Sequence, residues 1–450
     1  MSIYNIALSG ASTNRTSLNV TAQNIANANT LGHSRQQALQ SSVVNSNEVG
    51  AGVEVSSIRR VADQFIISQL RSSNTEVGSS NYSAESLSQL EQIVGSDGFN
   101  LSAGMDQFFG SISEASIAPE SSEYRQQVLS DAQALAQRFN GLNQTLTNQN
   151  AQLANDRENN VSMVNGLLDN LAQSSKAIMK VYNVGGNTAT LEDERDNMLN
   201  ELSQLMKVNV SKEENGELQL SMNNGQPLLI NDKAAQLSTT PLPSDPYQAD
   251  IKVTFNGTDF KFSGDLGGEL GAIETAQKKD LAAVQSTVND MAETFAEKVN
   301  ESLAGGTDLK GEDGKPLFSY DSAGSLKMNP LSTDQLAFSA DGKPGNGEIL
   351  AELLAISKTD YAIAGAGNVN LSEAFSLSVG KVAIASRQAQ TNLDSSTALL
   401  DQVQASRDNL SGVNSDEEAA NLMIYTNAYE ANMKVISTAN QMFNSILNAF

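Results

Sequence analysis

Apolar residues at the two ends of the chain recur on alternating steps of three and four. Near the start they are Tyr4, Leu8, Ala11, Leu18, Ala22 and Ile25, with Arg15 in the remaining seam position. At the other end they are Leu422, Tyr425, Tyr429, Ile436, Phe443, Ile446 and Phe450, with Asn432 and Ala439 filling the series. This spacing predicts two helices with the narrow apolar seam of coiled-coil packing rather than the wide face of a globular helix. Ser415-Asp416-Glu417-Glu418 reads as a capping box with Ser415 as the cap. The last helix is then expected from Asp416 to Phe450, about 50 Å long at 1.5 Å per residue. Its stripe stays apolar to the final residue, where a terminal helix ordinarily becomes polar and frays. A single thin seam, built partly of Ala and Asn, buries little area. Both stripes are therefore expected to face neighbouring chains as well as each other.

Between the ends the helical period continues. Residues 61–95 read as a helix around Phe65, Ile66, Leu70, Leu87 and Leu90. Pro119 opens a very long helix to about Tyr182, with Val128, Leu135, Phe139, Leu142, Leu146, Val164 and Leu171 on its seam and Gln149 and Asn160 interrupting it. Further helices are expected at 191–206, 269–303 and 373–410. From Val208 to Phe262 the period falls to two, as in Leu218-Gln-Leu220-Ser-Met222 and Ile251-Lys-Val253-Thr-Phe255. Glu214-Asn215-Gly216, Asn223-Asn224-Gly225 and Asn256-Gly257 separate these runs, which predicts hairpins. Residues 306–348 read as turns and short strands. The fold expected is mainly α with inserted β: an elongated, hairpin-like, multidomain molecule whose chain goes out along helices, makes a small antiparallel β domain and returns. Its domains are a terminal coiled-coil assembly domain (1–35 plus 411–450), a helical rod domain (36–206 plus 265–410) and a β domain (207–264).

Composition removes most chemistry from this picture. Among 450 residues there are 28 Lys and Arg, 52 Asp and Glu, one His, no Cys and no Trp. The net charge of −24 opposes binding to nucleic acid or an anionic membrane surface. Without Cys there are no disulfides, thiolate metal sites or Cys nucleophiles, and a lone His removes most triad chemistry. No apolar run is long enough to span a membrane, and the N-terminus lacks the pattern of a cleavable signal. Gly311-Glu-Asp-Gly314-Lys315 has the wrong spacing for a phosphate loop, and Gly365-Ala366-Gly367 reads as a turn. Glu192-Asp193-Glu194 reads as negative charge at a helix N-terminus, and His33 as a packing or hydrogen-bonding residue. No catalytic, cofactor-binding or metal-ligating residue is expected; the chain reads as a structural protein.

Three stretches resemble a known family. Asn24-Ile25-Ala26-Asn27-Ala28-Asn29-Thr30-Leu31-Gly32-His33-Ser34-Arg35-Gln36 resembles the signature loop of the flagellar axial proteins, with Leu31 where Pro is usual and His33 where Tyr is usual. Loss of Pro is expected to leave the loop less rigid. The stretch Ser411–Leu422, continuing through Ala428–Asn432, is similar to the hook-associated protein 1 family of these proteins. So are Glu194-Arg195-Asp196, Glu201-Leu202-Ser203 and Asn224-Gly225-Gln226-Pro227-Leu228, together with Val299-Asn300 and Gly314-Lys315-Pro316-Leu317-Phe318. The resemblance implies a structural part of the bacterial flagellum at the hook–filament junction, exported without a cleaved signal to an extracellular position. The partners it implies are a ring of further copies, the hook protein, hook-associated protein 3 and an export chaperone at the C-terminal region. Another axial protein of hook or rod type is the alternative. The residues expected to carry assembly are Leu8, Leu18 and Ile25 together with Leu422, Tyr425, Tyr429, Ile436, Phe443, Ile446 and Phe450, and folding of the terminal helices is expected to be coupled to it.

Overall fold

A computed structural model describes residues 3–43, 52–212, 216–243, 245–262, 264–321 and 324–448. The chain begins with helix α1 (Ile3–Ala26) and an antiparallel hairpin, β1 (Gln36–Ser42) and β2 (Val53–Arg60). Helices α2 (Gln64–Val94), α3 (Leu101–Ala115), α4 (Ser122–Asn183) and α5 (Ala189–Leu205) follow. Each of the first three starts where an Asx or Ser side chain accepts a backbone N–H: Asp63 from Phe65, Asn100 from Ala103, Ser121 from Tyr124. At 62 residues, α4 runs about 93 Å and is the spine of the molecule.

The β region forms two antiparallel sheets. One has the order β3 (Val208–Lys212), β4 (Leu218–Met222), β5 (Pro227–Ile230), β6 (Lys233–Ala234); the other has β7 (Gln236–Leu242), β8 (Asp245–Phe255), β9 (Thr258–Lys261). Asn256 and Gly257 both have positive φ, at 49° and 78°, which the two-residue turn between β8 and β9 requires. The chain returns through α6 (Gly268–Thr275), a π-helical turn over Ala276–Leu281, and α7 (Ala282–Ala304). Two short hairpins, β10 (Phe318–Tyr320) with β11 (Leu326–Met328) and β12 (Tyr361–Ile363) with β13 (Gly367–Val369), flank α8 (Glu348–Ile356). Helices α9 (Leu371–Ser411) and α10 (Ser415–Leu447) complete the chain.

The fold is mainly α with inserted β, as the periodicity predicts. The elements that escape that reading include the β1–β2 hairpin, α3, α8 and the β12–β13 hairpin. The β1–β2 hairpin has a half-buried pattern with few large apolar residues, and α3 is a short helix whose buried face is nearly continuous. The last helix is capped by Asn414, whose side chain accepts from Asp416 N and Glu417 N, so Ser415 lies inside the helix rather than at its cap.

Two apolar cores share α4. The first joins α3, the first half of α4, α7, α8 and the start of α9 around Phe108, Phe109, Phe139, Phe295 and Phe318, with ring centroids 5.1–6.5 Å apart. The second joins Val161–Ala172 of α4 with α5 and both β sheets. Where the cores meet, the α4 seam turns polar. Arg157 donates to Gln277 Oε1 and to Tyr247 O (2.7 Å), Gln277 donates to Asn150 Oδ1 (3.0 Å), and Asn160 donates to Glu269 (3.0 Å). Gln277 lies in the π turn and is buried. The interruptions in the α4 pattern are thus a layer of polar side-chain contacts, in which Arg157 Nε finds no acceptor among the described residues.

Candidate assembly surface

α1 and α10 run antiparallel. Ala7 and Ala11 pack on Ile436 and Tyr429, and a side chain at Gly10 would meet the Asn432 amide at 2.7 Å. The entry to the pair is fixed by Arg35, which bonds Glu417 at 2.9 Å. The seam on α10 passes through Tyr425, Tyr429, Asn432 and Ile436, as its spacing predicts. On α1 it does not. The buried line runs about one residue earlier, through Ala7, Gly10, Ala11, Ser17, Thr21 and Asn24. Small residues win because they let two backbones approach closely, whereas Leu8 and Ile25 would hold them apart.

The residues predicted to carry assembly therefore fall into separate groups. Ile436, Tyr429 and Tyr425 belong to the contact within the chain, Ile436 being 8% exposed. Leu18 is half-buried. Leu8 (49%), Ile25 (39%) and Leu422 (38%) lie on outer faces, and Phe443 (62%) and Ile446 (56%) stand fully open near the end of α10. Phe450 lies outside the described residues. Sequence spacing missed Ile3, Ile6, Met423, Ile424, Met442 and Leu447, which are also exposed. They lie off the single seam, and only the occurrence of large apolar residues on the remaining faces of the helices could have drawn attention to them. Of the α10 side chains, Glu418 and Ile436 alone are classed as buried.

Behind the pair, residues 27–36 tie it to the body. The Asn24 side-chain amide bonds Gln36 like a strand neighbour, Nδ2 donating to Gln36 O and Oδ1 accepting from Gln36 N, both at 2.9 Å. Arg35 N donates to Ser411 O (2.8 Å), and Arg407 Nη2 donates to Gly32 O (2.7 Å) and His33 O (3.1 Å). Gly32 has φ +82°, and a Cβ there would lie 2.1 Å from Asn197 Oδ1, so this position accepts only glycine. The loop is thus held by hydrogen bonds to its backbone, while Leu31, which stands where relatives of the resembled family usually carry proline, points to solvent.

Under the loop lies an ionic cluster. Asp193 Oδ2 accepts from Ser34 N (3.1 Å) and faces His33 Nδ1 (3.5 Å), while Arg60 reaches Asp193 (3.1 Å) and Asp196 (2.7 Å). Lys212 also bonds Asp196. Burial lowers the His33 pKa, against the pull of Asp193, and burial raises that of Asp193, against Arg60. Burial works to raise Asp196 too, but Lys212 and Arg60 outweigh it and its net shift is downward. Only part of the acidic run matches the reading as helix-terminal charge: Glu192 sits in the first turn of α5 and accepts from Thr188 Oγ1 at 2.6 Å, but Asp193 is a buried tie. Among the described residues no group of three or more His, Asp or Glu is placed to hold a metal ion. No helix among them is long and apolar enough to cross a membrane.

The sequence profile of the flagellar hook-associated protein FlgK helical domain matches residues 87–318. This chain belongs to the FlgK family. Flagellar hook-associated protein 1 of Escherichia coli (strain K12) is 24% identical, with 99% of each chain covered. That of Bacillus subtilis (strain 168) is 26% identical over 97% of this chain and 96% of its own. The flagellar hook junction protein FlgK from Burkholderia pseudomallei shares the fold, with a TM-score of 0.70 over 76% of this chain and all of that one, at 14% identity. A second profile, the C-terminal part of the flagellar basal body rod FlgEFG proteins, matches residues 404–449. The rod and hook likeness is thus local to the end of α9 and to α10, whereas the FlgK profile takes in α3, α4, the β region and α7.

Proposed function

We propose that the protein is a non-catalytic structural subunit of the junction between flagellar hook and filament, built in as a ring of identical copies. What carries the reading is the terminal pair: a family of hook-associated proteins, and in this member two end helices whose large apolar side chains face outward. Leu8, Leu18, Ile25, Leu422, Phe443 and Ile446 meet neighbouring subunits, while Tyr425, Tyr429 and Ile436 hold α1 against α10. Burial of one Ile side chain contributes about 1.5–3 kcal/mol, against an ordering cost of about 1–2 kcal/mol for each residue fixed. The pair alone is therefore weakly held, and neighbours complete it, so that folding and assembly are coupled. The remaining partners are the hook protein, hook-associated protein 3 and an export chaperone bound to the C-terminal region; the chain leaves the cell through the flagellar export route without a cleaved signal. Residues 1–35 with 411–450 act as the assembly domain, 36–206 with 265–410 as the rod and 207–264 as an outer β domain.

Deletion of the gene tests this. The expected cells carry hooks without filaments and release filament protein into the medium. Normal filaments on deleted cells would refute the junction role.

A further inference from the structure

A groove of about 900 Å³ lies between α2, the α5–β3 connection and the start of α6. It adjoins a second cavity of about 310 Å³, with which it shares Gly264, Glu274 and Lys278. In a chain with a net charge of −24, cations gather here. Arg71, Lys207, Lys278 and Lys279 line the groove, and Arg157, Lys261 and Lys278 the adjoining cavity. Part of that charge is answered: Lys278 pairs with Glu274 and Lys261 with Asp250, each at 2.6 Å. Two carboxylates remain, Glu76 and Asp265, of which Asp265 accepts from Gly267 N at 2.9 Å.

The two arginines are not answered in the same way. Arg157 is 7% exposed and donates only to neutral oxygens, those of Gln277 and Tyr247. Arg71 feels Asp196 through space, but that carboxylate is already bound by Arg60 and Lys212. Arg71 Nη1 and Arg157 Nε are buried and find no hydrogen-bond acceptor among the described residues. An unmatched guanidinium N–H at the wall of a polar groove is best satisfied by an anionic acceptor, because the bond is then charge-assisted and can be bidentate. The groove supplies more donors. Ser72 lines it with a hydroxyl, whereas the Thr75 and Ser203 hydroxyls already donate to Arg71 O and Asn200 O, and the start of α6 enters it with no side chain capping its first turn. Gly267 and Gly268, at φ +60° and +57°, bring that backbone close, and a Cβ on Gly267 would strike Lys207 at 2.7 Å.

We propose that this groove binds a small multivalent oxyanion, with the half-buried Arg71 as the anchor, Lys207 and Lys279 at the rim and the Ser72 hydroxyl as a further donor. The bound anion ties α2, α5 and α6 together where the helical part of the molecule meets the β region. The site is independent of the assembly surface and stands or falls separately from it.

The test uses the full-length protein, with inorganic phosphate titrated against chloride at constant ionic strength and the melting temperature followed. The expected result is a saturable rise, because an anion that binds only the folded state stabilises it by mass action. General salting-in or salting-out does not saturate. Arg71→Gln and Lys207→Gln are expected to weaken the phosphate response roughly tenfold or more, as the loss of a charge-assisted contact does. Lys207 is exposed, so its variant carries the test if Arg71→Gln does not fold. A linear response, or variants that respond like the parent protein, overturns the proposal. Stabilisation by an Asp-rich peptide with none by phosphate also overturns it, because the groove would then receive a protein segment.

Discussion

Arg125 shows what a single buried side chain does here. It is 1% exposed, donates to the carbonyls of Pro119, Thr333 and Leu336, and lies 4.6 Å over the Phe338 ring. It thereby pins the start of α4 to the segment before α8. Arg125→Met keeps the volume but strips three buried carbonyls of their donor. We expect a loss of about 3–5 kcal/mol in urea unfolding; a loss below 1 kcal/mol would refute the assignment. His33 sets a pH dependence. Its folded pKa is lowered from 6.5, chiefly by burial, with Asp193 opposing and Arg407 assisting. The unfolded chain therefore takes up the proton first, and the contribution of the neutral ring is full above the unfolded pKa and lost as pH falls from there toward the folded value. This is the sole histidine. The urea midpoint of the parent protein should fall relative to that of His33→Gln between about pH 7 and pH 5.5. Parallel curves would show that His33 is not responsible.

Among elements, α10 divides most clearly into two kinds of position. Ile436 is locked against Ala7 and Ala11, whereas Phe443 touches no other core residue and stands exposed. Phe443→Asp is expected to leave the melting temperature and helix content unchanged while abolishing filaments. Ile436→Asp is expected to lower helix content as well, because it places a charge in the seam of the pair. Equal behaviour of the two variants in circular dichroism would dissolve the distinction. The α10 seam was legible because large apolar residues mark it. That of α1 was not, because close approach selected Ala, Gly, Ser and Thr over Leu8, Leu18 and Ile25, and small residues leave little trace in a hydrophobic pattern. The long helices and the β hairpins were legible for the same reason in reverse: α4 buries Val128, Leu135 and Leu142 at regular spacing, and Asn256-Gly257 has one suitable conformation between paired strands. The π turn was not, since nothing in Ala276–Leu281 departs from helical composition; it answers to Arg157 and Asn150 on another helix.

For the whole molecule, the two cores along α4 and the thin terminal pair make unequal demands on stability. The cores hold the large side chains, and α10 buries almost none. Trimming the chain to residues 60–405 is therefore expected to leave the main melting transition in place while the helical signal per molecule drops by less than α1 and α10 together would contribute if fully formed. A drop equal to two complete helices would show that the pair is rigid before assembly and would remove the coupling of folding to it. The candidate surface was legible at this scale as two apolar ends, but the face of α1 turned outward could be known only once the pairing was.

The terminal pair is joined to everything else by two short runs of chain, 27–35 and 412–414, which lie side by side. Two separate strings would let the pair swivel. Here Arg407 grips Gly32 and His33, Arg35 N holds Ser411 O, and Asn24 is stitched to Gln36, so the strings act as one strap. A load applied to the end helices is therefore expected to reach α5 and α9 together rather than either alone.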